Sequence, residues 1–79
     1  MKILRKWLFD LRKKLNLTQD QMASKLGLSQ SYYAQIENGD RQPVLLLTTA
    51  ARISDIGDIS LSTIRNHEEA LAVSERDQA

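Results

Sequence analysis

The chain contains no cysteine among its 79 residues and one histidine, His67. The absence of cysteine excludes disulfides and thiolate metal sites, and one histidine without a companion at ligand spacing predicts no metal site. Apolar runs are short as well, and none approaches the roughly 20 residues that a membrane-spanning helix needs. The charged start lacks the uninterrupted apolar segment of a secretory signal. We therefore expect a small cytoplasmic protein that needs no membrane and no cofactor.

Groupings of residues that support catalysis are also missing. No Ser/His/Asp set, carboxylate pair or phosphate-binding glycine loop occurs at a spacing that would form an active site. The sequence thus predicts no catalytic residue and a protein that is not an enzyme.

Glycine and proline are scarce, and they occur at Gly27, Gly39, Gly57 and Pro43. Each lies between segments whose apolar residues recur at helical spacing, and no segment alternates long enough to predict a strand. A chain of this length buries only about 60–65% of the surface that its unfolded form exposes. The sequence predicts an all-α fold, a compact bundle of about five short helices.

Charge is distributed unevenly, although the net charge is only +1. Residues 1–53 contain nine Lys and Arg against four Asp and Glu, whereas residues 54–79 contain two against six. The basic part favours an anionic partner. A randomly uneven solvated surface would give the same pattern, so charge alone leaves both interpretations open.

The first predicted helix runs roughly from Lys2 to Leu15. Its leucines recur at helical spacing and form one apolar stripe. The stripe consists of Leu4, Leu8, Leu11 and Leu15. Trp7 beside it should lie in the core, and Arg12 at its edge should be partly buried. Asn16 follows the helix, and asparagine tolerates the left-handed conformation that ends helices.

The second predicted helix runs from Gln19 to about Leu26. Thr18 precedes it as an N-cap, and Gln21 three residues later completes a capping box. Gly27 ends the helix in the left-handed conformation. We expect this helix to be short and fixed at both ends.

The third predicted helix runs from Gln30 to about Asn38, between an N-cap at Ser29 and Gly39. Two short helices joined by a tight turn with a glycine form a helix-turn-helix. One face of the third helix is uncharged. That face consists of Gln30, Ser31, Ala34, Gln35 and Asn38. Solvated faces usually carry Lys and Glu, whereas amides and small residues suit the reading of base edges.

Two further helices complete the prediction. Pro43 lies where the first turn of a fourth helix tolerates proline. The apolar residues of this helix predict burial: they are Val44, Leu46, Leu47, Ala50, Ala51 and Ile53. Residues 55–60 are expected to form a connection, with Ser54 interrupting the apolar pattern before it. A weakly amphipathic fifth helix is predicted from about Leu61 to Glu75.

Residues 12–43 resemble the Cro/cI-type helix-turn-helix family, which is also called the lambda-repressor-like or XRE family. The matching positions are Leu17, Thr18, Gln19, Met22, Ala23, Leu26, Gly27, Leu28, Ser29, Ile36, Glu37, Asn38, Gly39 and Pro43. So many features at fixed offsets over about 30 residues make the resemblance specific. It covers roughly residues 3–60 and implies five short helices, with the third in the major groove of DNA. We therefore predict a DNA-binding domain over residues 1–60 and, over 61–79, a C-terminal helix and acidic tail for dimerisation or partner contact.

The resemblance also implies roles for individual residues. The residues expected to contact bases are Gln30, Ser31, Tyr32 and Gln35. Those expected to contact the DNA backbone are Gln19, Lys25, Arg41 and Gln42. Gln19 is also expected to brace Gln30, whose amide can bond adenine N6 and N7 and contribute about 1–3 kcal/mol of discrimination.

An ion pair between Arg12 and Glu37 is implied as well, and it would join the first helix to the end of the third. Two positions depart from the family pattern. Asp40 lies where many relatives carry a basic residue, which speaks against phosphate contacts from this loop. Tyr33 lies where the family has a branched aliphatic core residue, so its ring should be in the core but packed differently.

These features predict a sequence-specific transcriptional regulator from a bacterium or phage, acting as a dimeric repressor. One domain offers little surface for specificity, whereas two copies can read the half-sites of a palindromic operator one helical turn apart. The alternatives are an antitoxin that binds a toxin or other protein through residues 60–79, a restriction–modification controller, and a protein-interaction module that has lost DNA binding.

Overall fold

A computed structural model describes residues 4–41 and 45–78, with side chains through residue 71. These residues form helices and no strand, which confirms the all-α prediction. The helices are α1 (Lys6–Lys14), α2 (Gln19–Leu26), α3 (Gln30–Asn38), α4 (Leu47–Gly57) and α5 (Leu61–Gln78). They belong to two compact units, residues 1–43 with α1–α3 and residues 44–79 with α4 and α5.

In the first unit, α1 begins later than the leucine spacing predicts. Its first residue is Lys6, so Leu4 precedes the helix and is 54% exposed. The prediction that Leu4 belongs to the core stripe is therefore wrong, because helical spacing does not apply before the helix starts. Leu8 is fully buried, whereas Trp7, expected in the core, is only half-buried.

Left-handed residues end α1, α2 and α3 at the predicted positions. They are Asn16 (φ 59°), Gly27 (φ 72°) and Gly39 (φ 84°). Asparagine and glycine tolerate this conformation better than other residues do. After α1 the chain folds back so that the N–H of Leu17 donates to the carbonyl of Arg12 at 3.1 Å. The three short helices are thus held to fixed lengths by local sequence.

Side-chain caps start α2 and α3. The hydroxyl of Thr18 accepts from the N–H of Gln21 at 3.1 Å, and the Gln21 side chain accepts from the N–H of Thr18 at 2.9 Å. The predicted capping box is confirmed. Ser29 Oγ accepts from the N–H of Tyr32 at 3.1 Å. Each such cap contributes about 1 kcal/mol and fixes the residue at which the helix begins.

The core of the first unit forms where α3 packs against α1 and α2. Its buried apolar side chains are Leu8, Met22, Ala23, Leu26, Tyr33 and Ile36. Tyr33 is completely buried, which confirms its predicted place in the core. Because α3 directs this side inward, the opposite side of the helix faces away from the unit.

In the second unit, α4 is less buried than predicted. It begins at Leu47, with Leu46 as the preceding residue, and these two leucines are 73% and 54% exposed. The prediction that both are core residues is wrong, because the buried residues of α4 come later, at Thr49, Ala50 and Ile53. Pro43 and Val44, predicted in the first turn, lie outside the described residues.

The end of α4 also differs from the prediction. Gly57 is the last helical residue, and Asp58 takes the left-handed conformation at φ 52°. The predicted connection therefore shortens to residues 58–60. The hydroxyl of Ser54 donates to the carbonyl of Ile59, which gives this polar residue a role in closing the turn. Beyond it, α5 continues to Gln78, three residues past its predicted end.

Candidate nucleic-acid interface

A buried carboxylate joins the three helices of the first unit. Glu37, in the last turn of α3, is 2% exposed. Arg12 Nε donates to its Oε2 at 3.1 Å and Arg12 Nη2 to its Oε1 at 3.3 Å, so the expected ion pair is present. Tyr33 donates its hydroxyl to Oε2 at 2.6 Å, and Gln19 Nε2 donates to Oε1 at 3.3 Å. Four donors thus satisfy a charge that would otherwise be costly to bury.

The protonation states of this cluster support one another. Burial would raise the pKa of Glu37, but hydrogen bonds from Arg12, Tyr33 and Gln19 outweigh it and hold the pKa below its usual value. The hydrogen bond to Glu37 raises the pKa of Arg12, against the opposing effect of burial. Burial, followed by the hydrogen bond to Glu37, raises the pKa of the Tyr33 phenol. At neutral pH the carboxylate is therefore ionised and its donors are protonated.

The lowered pKa of Glu37 predicts an acid-sensitive contribution to stability. A carboxyl group with a lower pKa in the folded state stabilises fully above its unfolded pKa, and this contribution is lost as the pH falls through the folded pKa. Glu37→Gln should therefore be less stable than the wild type at pH 7, and the difference should narrow below the usual glutamate value of 4.5. Urea unfolding followed by circular dichroism from pH 7 to 3 measures both proteins.

Asp10→Asn is the matched control for this titration. Asp10 pairs with Lys6 at 3.8 Å, and both side chains are largely exposed. An exposed pair contributes only about 0–1 kcal/mol, so this variant should follow the wild type closely across the range. If the difference in unfolding free energy between Glu37→Gln and the wild type stays constant from pH 7 to 3, the lowered pKa of Glu37 is contradicted.

Arg5 is a structural residue that the sequence analysis missed. It is 3% exposed; its backbone N–H donates to the carbonyl of Glu37, and its Nη1 donates to the carbonyl of Ile36, both at 2.8 Å. A cation is stabilising at a helix C-terminus, where the last carbonyls lack helical partners. Helical spacing could not have identified it, because Arg5 precedes α1 and its hydrogen-bond partners lie more than 30 residues later.

The uncharged face of α3 points outward from the first unit. Gln30, Ser31 and Asn38 are exposed along it, and Gln35 between them is half-buried. The first turn of α3 contains no acidic residue. The positive end of the helix dipole therefore suits an approaching anion. This surface offers amide and hydroxyl groups for hydrogen bonding.

The starts of α2 and α3 line one open depression of about 550 Å³. Its lining consists of Arg12, Lys13, Asn16, Leu17, Thr18, Gln19 and Gln30. Gln19 and Gln30, which the family resemblance places together, thus both line this depression. Gln19 donates its amide hydrogen to Glu37, so this side chain links the depression to the buried ion pair. Arg12 is neutralised by Glu37, so the cation in this lining that favours an anionic group is Lys13.

A second cluster lies toward the end of α3. Arg41 Nε donates to Gln35 Oε1 at 2.8 Å, and the guanidinium carbon lies 5.9 Å from the centre of the Tyr32 ring. Arg41 is exposed, and the other two side chains are half-buried. Arg41, expected to contact phosphate, therefore interacts with two residues expected to contact bases.

The remaining predicted contact residues lie apart from these clusters or outside the described chain. Lys25 is exposed in the last turn of α2. Gln42 lies outside the described residues. Within residues 4–41 and 45–78, no cluster of three or more His, Cys, Asp or Glu could hold a metal ion. Over the same ranges, no helix combines the length and the apolar character needed to cross a membrane.

Comparison with known proteins identifies similar helix-turn-helix proteins. A family model described as helix-turn-helix matches residues 8–64, which include all of α2, α3 and α4. The uncharacterized HTH-type transcriptional regulator YqaF of Bacillus subtilis (strain 168) is 35% identical over 46 residues. These residues make up 58% of this chain and 60% of the relative, so the chain spans less than two thirds of that protein's length.

Proposed function

This chain belongs to the helix-turn-helix family, and on that premise we propose that it is a DNA-binding transcriptional regulator that reads base edges through α3. The observation that carries the proposal is the outward, uncharged face of α3, on which Gln30 and Ser31 are exposed. The relative's name, an HTH-type transcriptional regulator, supports the same function.

In the proposed complex, α3 lies in the major groove with its first turn nearest the bases. The amide of Gln30 reaches a base edge, where a glutamine can bond adenine N6 and N7 together. Lys25 and Arg41 contact phosphates, and the backbone N–H groups that begin α3 add to these contacts. Phosphate contacts fix the position of the protein on the duplex, whereas the contacts of Gln30 and its neighbours select the sequence.

We further propose that two copies act together on a palindromic operator and repress transcription by covering a promoter. One domain of this size contacts too few base pairs for high specificity, and a symmetric dimer doubles the number. Leu46 and Leu47 support association with a second copy, because they are large apolar side chains that the second unit leaves exposed.

Selection of bound duplexes from randomised DNA, using the full chain, tests DNA binding and dimeric reading together. The selected sequences should contain two related half-sites whose centres are about 10–10.5 base pairs, or a multiple of that spacing, apart. Recovery of no preferred sequence would contradict the proposal and favour the protein-interaction module.

Gln30→Ala tests base reading directly. This variant should lose about 1–3 kcal/mol of affinity on the selected duplex and little on random DNA, because only the base contact is removed. Titration of both duplexes by fluorescence anisotropy gives the two losses. Asp10→Asn is the control, since this largely exposed side chain on α1 is not among the proposed contact residues. Equal losses on the two duplexes for Gln30→Ala would argue against base reading by this residue.

A further inference from the structure

We propose that Arg41 is a positioning residue that sets the base preference of Gln35, so that Gln35 presents its amide N–H₂ group to the DNA and favours guanine. This inference rests on the proposed function, because it concerns the base pair that Gln35 faces in the complex.

Arg41 is fixed to Gln35 by its backbone as well as by its side chain. The N–H groups of Asp40 and Arg41 both donate to the main-chain carbonyl of Gln35, at 2.8 and 3.1 Å. The side-chain bond from Arg41 Nε to Gln35 Oε1 is 2.8 Å long. Stacking near the Tyr32 ring, at 5.9 Å, further restricts the guanidinium. The left-handed Gly39 turns the chain so that these groups meet.

This arrangement assigns the two ends of the Gln35 amide different partners. A carboxamide has one oxygen with two lone pairs that can accept and one N–H₂ group with two hydrogens that can donate. The oxygen already accepts a charge-assisted hydrogen bond from Arg41, a bond about twice as strong as one between neutral groups. Turning the amide over to present the oxygen to DNA would break this bond. A second donor at the same oxygen would meet the positive charge of Arg41, which repels it. The N–H₂ group is therefore the end that we expect to face a base.

A donor alone distinguishes the purines in the major groove. Guanine presents two acceptors there, N7 and O6, whereas adenine presents the N7 acceptor beside the N6 donor. The bidentate contact with adenine requires the amide oxygen to accept from N6. Since Arg41 occupies one lone pair of that oxygen and its charge disfavours a second donor there, Gln35 should favour guanine over adenine. Without Arg41 the amide can turn, and the adenine contact becomes accessible.

Arg41 can hold Gln35 and still contact a phosphate. Its guanidinium has five N–H donors, and the bond to Gln35 uses one of them. A role limited to phosphate contact predicts that removing Arg41 weakens binding to every sequence alike. The positioning role predicts instead a change in preference at one base pair, so the two roles differ in what they predict for specificity.

Selection of bound duplexes by the wild type, Arg41→Met, Gln35→Ala and Lys25→Met provides the test. Methionine keeps an unbranched side chain near Tyr32 but cannot donate to Gln35. Arg41→Met should lower the guanine-over-adenine ratio about tenfold at the position where Gln35→Ala also lowers selectivity. Lys25→Met removes an equal charge from another exposed site, and it should weaken all duplexes by a similar factor without changing the ratio.

The outcomes separate this inference from the proposed function. A wild type that selects no sequence contradicts the proposed function itself. A wild type that selects DNA but prefers adenine opposite Gln35 overturns only the role of Arg41. The role is equally overturned if Arg41→Met keeps the wild-type ratio, or changes it at a position that Gln35→Ala does not affect. Circular dichroism of each variant confirms that it is folded before selection.

Discussion

Replacing Arg12 with alanine is expected to lower the free energy of unfolding by about 3–5 kcal/mol. The substitution removes two hydrogen bonds from the Glu37 carboxylate, and a third from Arg12 Nη1 to the carbonyl of Leu17 at 3.0 Å. A chain of 79 residues has a total stability of only about 4–12 kcal/mol. Arg12→Ala should therefore bring the protein close to unfolding at room temperature.

Urea unfolding at pH 7 and low temperature measures this loss, and Lys14→Ala is its control. Lys14 is an exposed cation on the same helix, so its replacement should change the stability by less than about 0.5 kcal/mol. A double-mutant cycle with Glu37→Ala then isolates the coupling between the two partners. A loss below about 1 kcal/mol for Arg12→Ala would mean that the pair acts as an exposed one.

Affinity for the selected duplex is expected to fall roughly 100-fold between 50 and 200 mM salt. The proposed phosphate contacts are Lys25 and Arg41 from each of two copies. Each neutralised phosphate contributes about −0.9 to the logarithmic slope, which gives about −3.6 for the four contacts. The slope is measured by anisotropy titrations on one duplex at several salt concentrations.

Lys25→Met provides the internal comparison for this slope. Loss of one contact per copy should make the slope less steep by about 1.8, whereas Gln30→Ala should leave the slope unchanged. Binding that does not respond to salt would contradict phosphate contacts by these residues. It would also weaken the case for DNA as the partner of the basic part of the chain.

Local chemistry made the first unit largely predictable. The ends of α1, α2 and α3 follow from Asn16, Gly27 and Gly39, whose backbones are left-handed as expected. The caps at Thr18 and Ser29 require side chains only three residues away. These interactions form within about one turn of the chain, so they do not depend on which distant residues pack nearby.

Structural features that depend on residues distant in the sequence were harder to predict. Arg5 is buried because carbonyls more than 30 residues later accept its hydrogen bonds, and nothing near Arg5 in the sequence shows this. The apolar run before α4 predicted burial, yet Leu47 is exposed, because composition does not indicate where the buried face of a helix begins. The contact between Arg41 and Gln35 likewise depends on how the chain turns after Gly39.

The two sides of α3 have separate roles, and this separation affects how such a protein can change the DNA sequence that it prefers. Tyr33, Ile36 and Glu37 anchor the helix from within, whereas Gln30 and Ser31 are exposed on the other side. Exposed positions of this kind tolerate substitution at a cost within about 0.5 kcal/mol. If α3 reads DNA as proposed, new sequence preferences can therefore evolve, or be engineered, by exchanging surface residues of α3 while the buried residues that hold the helix stay the same.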